Sequence, residues 1–164
     1  MIIRKGLSTD LTELQKLFSD TIKAVCQKDY NHEQLEVWAS GIENRQRWQT
    51  VMAKQHVIVA QDNNGKIIGF CSLDNGNYID LMFVHKDCQR QGIAYKLYAE
   101  IEKEAKRQRQ TELSSNVSKT ARPFFERIGF SVKKEQSVNV KSITLTNYKM
   151  TKTIEAPTFG SHPE

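Results

Sequence analysis

The chain has 164 residues, 38% apolar and 26% charged, with a formal net charge of +5. That length suits one domain able to bury roughly two thirds of its unfolded surface, and the composition excludes disordered and collagen-like chains. No apolar run approaches the ~18–20 residues of a membrane span, and MIIRKGLSTDL lacks the apolar stretch of a secretory signal, so a cytoplasmic protein is expected.

Met1 to Lys5 reads as a short strand. Asp10 and Glu13 resemble a capping box, and Leu11, Leu14, Leu17, Phe18, Ile22 and Val25 recur at helical spacing to about Cys26. NHEQLEVWA reads as a second helix capped by Asn31, and Glu43 to Ala53 as a third carrying Trp48 and Met52. HVIVAQ and KIIGFCSL read as a hairpin around Asn63-Asn64-Gly65, because Asn-Gly favours a two-residue turn. Asp74, Asn75 and Gly76 mark a turn into a largely buried third strand, NYIDLMFVH. Gly92 to Arg107 is helical, with Leu97, Tyr98, Ile101 and Ala105 as its apolar stripe. A strand at Glu112 to Val117 leads to a short helix, Thr120 to Ile128, with Gly129 at its end. Phe130 to Val138 and Ser142 to Met150 close the domain as two strands.

Hairpin-linked strands at both ends surround a central β-α-β unit. That order predicts a mixed α/β fold in residues 1–150, with one mostly antiparallel sheet of about six to seven strands flanked by helices. Residues 151–164 hold Pro157 and Pro163 and are expected to form a loosely packed tail. Cys26, Cys71 and Cys88 are too widely spaced for a disulfide framework or zinc knuckle. His32, His56, His85 and His162 lack metal-ligand spacing, so no metal is expected.

The informative stretch is LMFVHKDCQRQGIAYKLYAEIE, an apolar strand running through a polar loop into a helix. The first turn of a helix has unpaired N–H groups and a partial positive charge. Gly92 and Ala94 keep this turn small, and Lys86, Arg90 and Lys96 add positive charge, so a phosphate is well solvated there. An ordinary strand-to-helix turn is the competing reading. GxxxxGK[ST] and GxGxxG are both absent, which excludes a P-loop and a dinucleotide fingerprint.

Gln89-x-x-Gly92-x-Ala94 resembles the Q/R-x-x-G-x-G/A signature of the GNAT superfamily of N-acetyltransferases. Ala121-x-x-Phe124-Phe125-Glu126-Arg127-Ile128-Gly129-Phe130 is similar to that family's A-x-x-hydrophobic-Y-x-x-x-G-F segment. The likeness covers about Val57 to Met150, and ARPFFERIGF with EQLEVWA is most like an uncharacterised bacterial subgroup. It implies acetyl-CoA as cofactor, with its pyrophosphate on Gln89, Arg90, Gln91, Gly92, Ile93 and Ala94. It also implies pantetheine pairing near Met82 and Val84, a hydrogen bond from Ser118, and a contact at Phe125. The sheet is then expected to splay between the third strand and Glu112 to Val117. An amine acceptor, a small molecule or a protein, enters from the opposite side, and the last strands are a family site for dimer contacts.

An amine attacking a thioester needs a base and an oxyanion donor. The resemblance gives the donor role to the backbone N–H near Val84. Strand parity puts Tyr78, Asp80, Met82 and Val84 on one face. Some members of the family carry their base at the places of Tyr78 and Asp80, so the resemblance implies Asp80 as the base; a turn cap or an ion pair with a lysine is the competing reading. Phe125 stands where the family's usual acid is a tyrosine, which leaves a slow or non-catalytic acyl-CoA-binding module as the alternative. A nucleic-acid role rests on charge alone, because no stacking aromatics interleave with Lys103, Lys106, Arg107 and Arg109.

Overall fold

Two apolar clusters, one on each face of a seven-stranded sheet, set the architecture. The computed structural model describes residues 1–155. In chain order the elements are β1 (Ile2–Lys5), α1 (Leu11–Val25), α2 (His32–Ala39), α3 (Arg45–Lys54), β2 (His56–Gln61), β3 (Ile67–Asp74) and β4 (Tyr78–Val84). Then come α4 (Ile93–Arg107), β5 (Glu112–Ser118), α5 (Arg122–Arg127), β6 (Ser131–Val140) and β7 (Ile143–Thr153). The strand order is β1-β2-β3-β4-β5-β7-β6, and β4–β5 is the parallel neighbour pair. This is the mixed, mostly antiparallel sheet that the element order predicts.

One cluster packs α4 and α5 on the sheet through Ile93, Leu97, Tyr98, Ile101, Phe125 and Phe130. The other packs α1, α2 and α3 on the opposite face through Leu14, Phe18, Ile22, Leu35, Trp48 and Val51. β3 lies between them and is buried at seven consecutive positions, Ile67 to Leu73. A Cβ at Gly69 would sit 3.1 Å from Leu97 and 3.2 Å from Ile93, so this glycine lets α4 lie close on β3. That contact fixes where the first turn of α4 points.

Several local expectations change. Asp10 and Glu13 form no capping box: Asp10 accepts from the Leu7 N–H at 2.7 Å and holds Arg4 in a two-bond ion pair, while Glu13 accepts from the Ile67 N–H. The β2–β3 connection is a longer loop, because Asp62 Oδ1 takes the N–H groups of Asn64 and Lys66 and widens the turn. The two-residue turn stands instead at Asn75 and Gly76, both with positive φ. The tail does not begin at 151. β7 continues to Thr153, paired with Glu112, and Ile154 is buried. The rest of the expected tail, 156–164, lies outside the described residues. No helix among the described residues is long and apolar enough to cross a membrane.

Candidate active site

β4 and β5 pair only at Tyr78↔Ser114 and Ile79↔Ser115. Beyond Ile79 they separate, while β5 stays paired to β7 as far as Ser118. The cleft is therefore built into the ladder. Along β4, alternate residues turn their N–H and C=O to opposite neighbours. The His85 N–H bonds to Ile68 O on the β3 side, so Met82 and Val84 turn their backbone groups toward the cleft. Val84 O already accepts from Gln89 Nε2 at 2.6 Å and from Thr21 Oγ1 at 3.4 Å. Among these groups the Met82 N–H and C=O and the Val84 N–H remain as a strand edge facing the opening.

Strand parity breaks at Asp80. The register runs Leu73↔Ile79 and then Ser72↔Leu81, so Asp80 is the extra residue of a β-bulge. Met82 and Val84 consequently share the α4 face with Ile79, whereas Leu81 and Phe83 pack against α1 and α3. Tyr78 and Asp80 share the α3 face, not the face of Met82 and Val84. The expected single face for all four residues is corrected by one inserted position.

Asp80 is also engaged. Arg47 Nη1 and Nη2 donate to its two oxygens at 3.0 Å each, and Gln55 Nε2 donates to Oδ2 at 2.8 Å. The Asp80 side chain is 11% exposed and that of Arg47 is 46% exposed. This pair raises the Arg47 guanidinium, because the bond to Asp80 favours its charged form. Both oxygens of this carboxylate are therefore already taken up as acceptors by groups of α3 and its C-terminal end. Nothing local in the sequence singles out Arg47 and Gln55. Their signal lies in three-dimensional packing, since α3 shows only that they stand eight positions apart. Burial raises the Tyr78 phenol, with the Asp80 charge adding to it, so Tyr78 stays a neutral donor at neutral pH.

The loop after β4 ends on an uncapped helix. Gly92 is the N-cap of α4 at φ 79°, and no side chain caps the turn. Arg90 is also left-handed at φ 59°. A Cβ at Gly92 would meet nothing within 4 Å, so the glycine serves conformation and leaves open space before the helix. Gln89, Arg90, Gln91 and Gly92 are exposed, Ala94 is half-buried and Ile93 anchors the turn in the core. Gln89 pins the loop to Val84 O, and Lys86, Arg90 and Lys96 are exposed around it. Uncapped N–H groups and three exposed cations thus meet at the mouth of the cleft, an arrangement whose charge favours an anion.

Ser118 ends β5 and its Oγ accepts from the Ala121 N–H at 3.1 Å, leaving its own proton to donate. Phe125 is 3% exposed, in edge-to-face contact with Phe124 and Phe130. It is a core ring, which leaves almost no surface for the cofactor contact expected of it. Trp48 is core as well, with Nε1 donating to Gly41 O at 3.0 Å, and Trp38 packs edge-on against Tyr30. Tyr148 lies on the α5 side under the Arg122 guanidinium, 4.6 Å from its ring centre.

Residues 26–152 match the acetyltransferase (GNAT) domain. The chain is 33% identical over 148 residues to an uncharacterised N-acetyltransferase, YafP, of Escherichia coli K12, covering 90% of this chain and 93% of that protein. A crystal structure described as a GCN5-related N-acetyltransferase, aminotransferase class-II, from Rhodopseudomonas palustris superposes with a TM-score of 0.89 at 27% identity, covering 93% of this chain and 95% of that one. The PaiA N-acetyltransferase of Thermoplasma acidophilum, solved with coenzyme A, shares the fold at a TM-score of 0.72 and 20% identity, covering 94% of this chain and all of that one.

Proposed function

The chain belongs to the GNAT acetyltransferase family, and from that premise we propose that it moves an acetyl group from acetyl-CoA to a primary amine. The observation that carries the proposal is the open backbone edge at Met82 and Val84 running into the uncapped N-terminus of α4. The strand edge suits an amide-bearing arm, and the loop Gln89 to Ala94 suits a pyrophosphate. Bound there, acetyl-CoA supplies a thioester that an amine attacks directly.

The residues divide the work by what they still have to give. The N–H groups of Met82 and Val84 are the donors available to a carbonyl oxygen that gains charge. Ser118 has one hydroxyl proton to donate. Asp80, occupied by Arg47 and Gln55, has a positioning role: it holds Arg47 at the acceptor side of the cleft. The acceptor amine therefore enters as its free base. For a lysine-like amine that costs about 4–5 kcal/mol at pH 7, at ~1.36 kcal/mol per pH unit. The rate should rise with pH up to the pKa of the amine, with no earlier plateau set by the protein. The leaving thiolate takes its proton from water, since Phe125 has none. The buried free thiols of Cys26 and Cys71 suit a reducing compartment, which supports a cytoplasmic site of action.

A slow acyl-CoA-binding module is the second reading, favoured by Phe125 and by the engaged Asp80. A thermal-shift titration with acetyl-CoA, coenzyme A and ATP tests the shared part. At about 100 times Kd a ligand adds roughly 2.7 kcal/mol, a rise of several degrees for a domain of this size. A rise with both coenzyme A species and none with ATP supports the cofactor site, and thiol release with an amine panel then separates enzyme from binding module. No rise with acetyl-CoA refutes both.

A further inference from the structure

Beside the cleft, β5, β7 and β6 carry a basic row on the sheet face that bears α1–α3. Direct pairing sets Asn116 opposite Lys149 and Lys149 opposite Lys134, so the three side chains stand abreast. Both lysines are exposed, and among the described residues neither has an ion-pair partner. Like charges directly opposite each other destabilise a sheet. An exposed strand pair has no packing reason to keep them, which points to a ligand.

The surroundings match an anion. In the next row Gln136 Nε2 donates to Asn147 Oδ1 at 2.9 Å and to Asn116 Oδ1 at 3.2 Å. Asp80 across the cleft is neutralised by Arg47. Glu135 is paired with Tyr148, so it faces the opposite side of the sheet, and Glu112 stands four residues back along β5 from Asn116. With strands ~4.8 Å apart, Lys149 and Lys134 stand about 5 and 10 Å from the β5 backbone. That is the reach of a substituent a few bonds from an amine held in the cleft.

We propose that the acceptor is a small amine that carries a carboxylate or phosphate, and that Lys149 and Lys134 select it. The proposal rests on the acetyltransferase reading and adds the acceptor's class. Matched amines test it: phenylalanine against phenethylamine for the carboxylate, and O-phosphoethanolamine against ethanolamine for the phosphate. Thiol release at mildly alkaline pH gives kcat/KM, and NMR line broadening gives binding of the same four amines to the coenzyme A-saturated protein. Each anionic member should exceed its neutral partner by about 10-fold or more, and the pair with the larger ratio identifies the anion. In a Lys134→Gln/Lys149→Gln variant the ratio should fall toward one through KM, with kcat for neutral amines unchanged. Its thermal stability should be equal or higher, because a repulsive pair is gone.

Equal use and equal binding of charged and neutral amines would overturn the proposal while leaving acetyl transfer intact. An unchanged ratio in the variant would do the same. Acetylation of an acidic peptide without binding of any small anionic amine would overturn it in favour of a protein acceptor. Failure of coenzyme A itself to bind would refute the underlying reading, and the proposal with it.

Discussion

Arg47 and Asp80 are expected to respond unequally to mutation. Arg47→Ala leaves the Asp80 carboxylate, only 11% exposed, with Gln55 as its remaining partner. Hydrogen bonds to charged groups are worth about 1.5–3 kcal/mol each. Arg47 is nearly half exposed and water re-enters when it is removed, so the two lost bonds should cost about 2–3 kcal/mol together. For a domain of this size that is a fall in Tm of roughly 5–10 °C. Asp80→Asn keeps the shape and leaves a guanidinium that water can solvate, so about 1 kcal/mol is lost and Tm falls by roughly 2–4 °C. The double variant should be more stable than Arg47→Ala alone, because no buried charge is stranded. Thermal and urea unfolding followed by circular dichroism measure all three. Equal or reversed costs for the single variants would refute the buried-charge argument. Kinetics adds a second check: loss of a general base costs about 10²–10⁴ in rate, whereas Asp80→Asn should lower kcat/KM by less than ~10-fold. A loss of ~10² with acetyl-CoA affinity intact would return Asp80 to the role of base.

Three further outcomes follow from the geometry. Gly92→Ala forces a left-handed alanine, at about 1–2 kcal/mol, without a clash, and should weaken acetyl-CoA binding by shifting the first turn of α4; Gly92→Asn should recover part of the stability, as unfolding curves will show. The Arg4 guanidinium holds the Asp10 carboxyl below the usual carboxylate range. Its contribution is therefore complete above the unfolded pKa of about 3.9 and is lost as pH falls through the lower folded value; Asp10→Asn should flatten the acid limb of a Tm–pH curve. Gln89→Leu frees the loop from Val84 O, so calorimetry should show weaker acetyl-CoA binding with unfolding changed by about 1 kcal/mol.

Much of the fold is legible in the sequence because local signals and burial agree. Asn31 and Gln34 form a true capping box, and the Leu97–Tyr98–Ile101–Ala105 stripe is buried as its period requires. The Gln89 to Ala94 loop is legible for the same reason, since a glycine before an apolar stripe is a local signal. What fails is set by distant partners. Asp10 looks like a cap until Arg4 claims it, and Asn64-Gly65 looks like a two-residue turn until Asp62 takes two backbone donors. The bulge at Asp80 has no local signature, because the register comes from Ser72 and Leu73 on the neighbouring strand. That one insertion separates the strand edge at Met82 and Val84 from the polar group at Tyr78 and Asp80. It thereby puts the two groups on opposite faces of the sheet, where alternation alone predicts one face.

Amide chemical-shift mapping with acetyl-CoA reads the cofactor position residue by residue. The largest changes should fall on Met82 to Val84, on Gln89 to Ala94 and at Ser118, with the cleft between β4 and β5 as their common origin. Changes confined elsewhere, such as the surface groove of Arg4, Lys5, Lys103 and Arg107 between β1, β2 and α4, would contradict it.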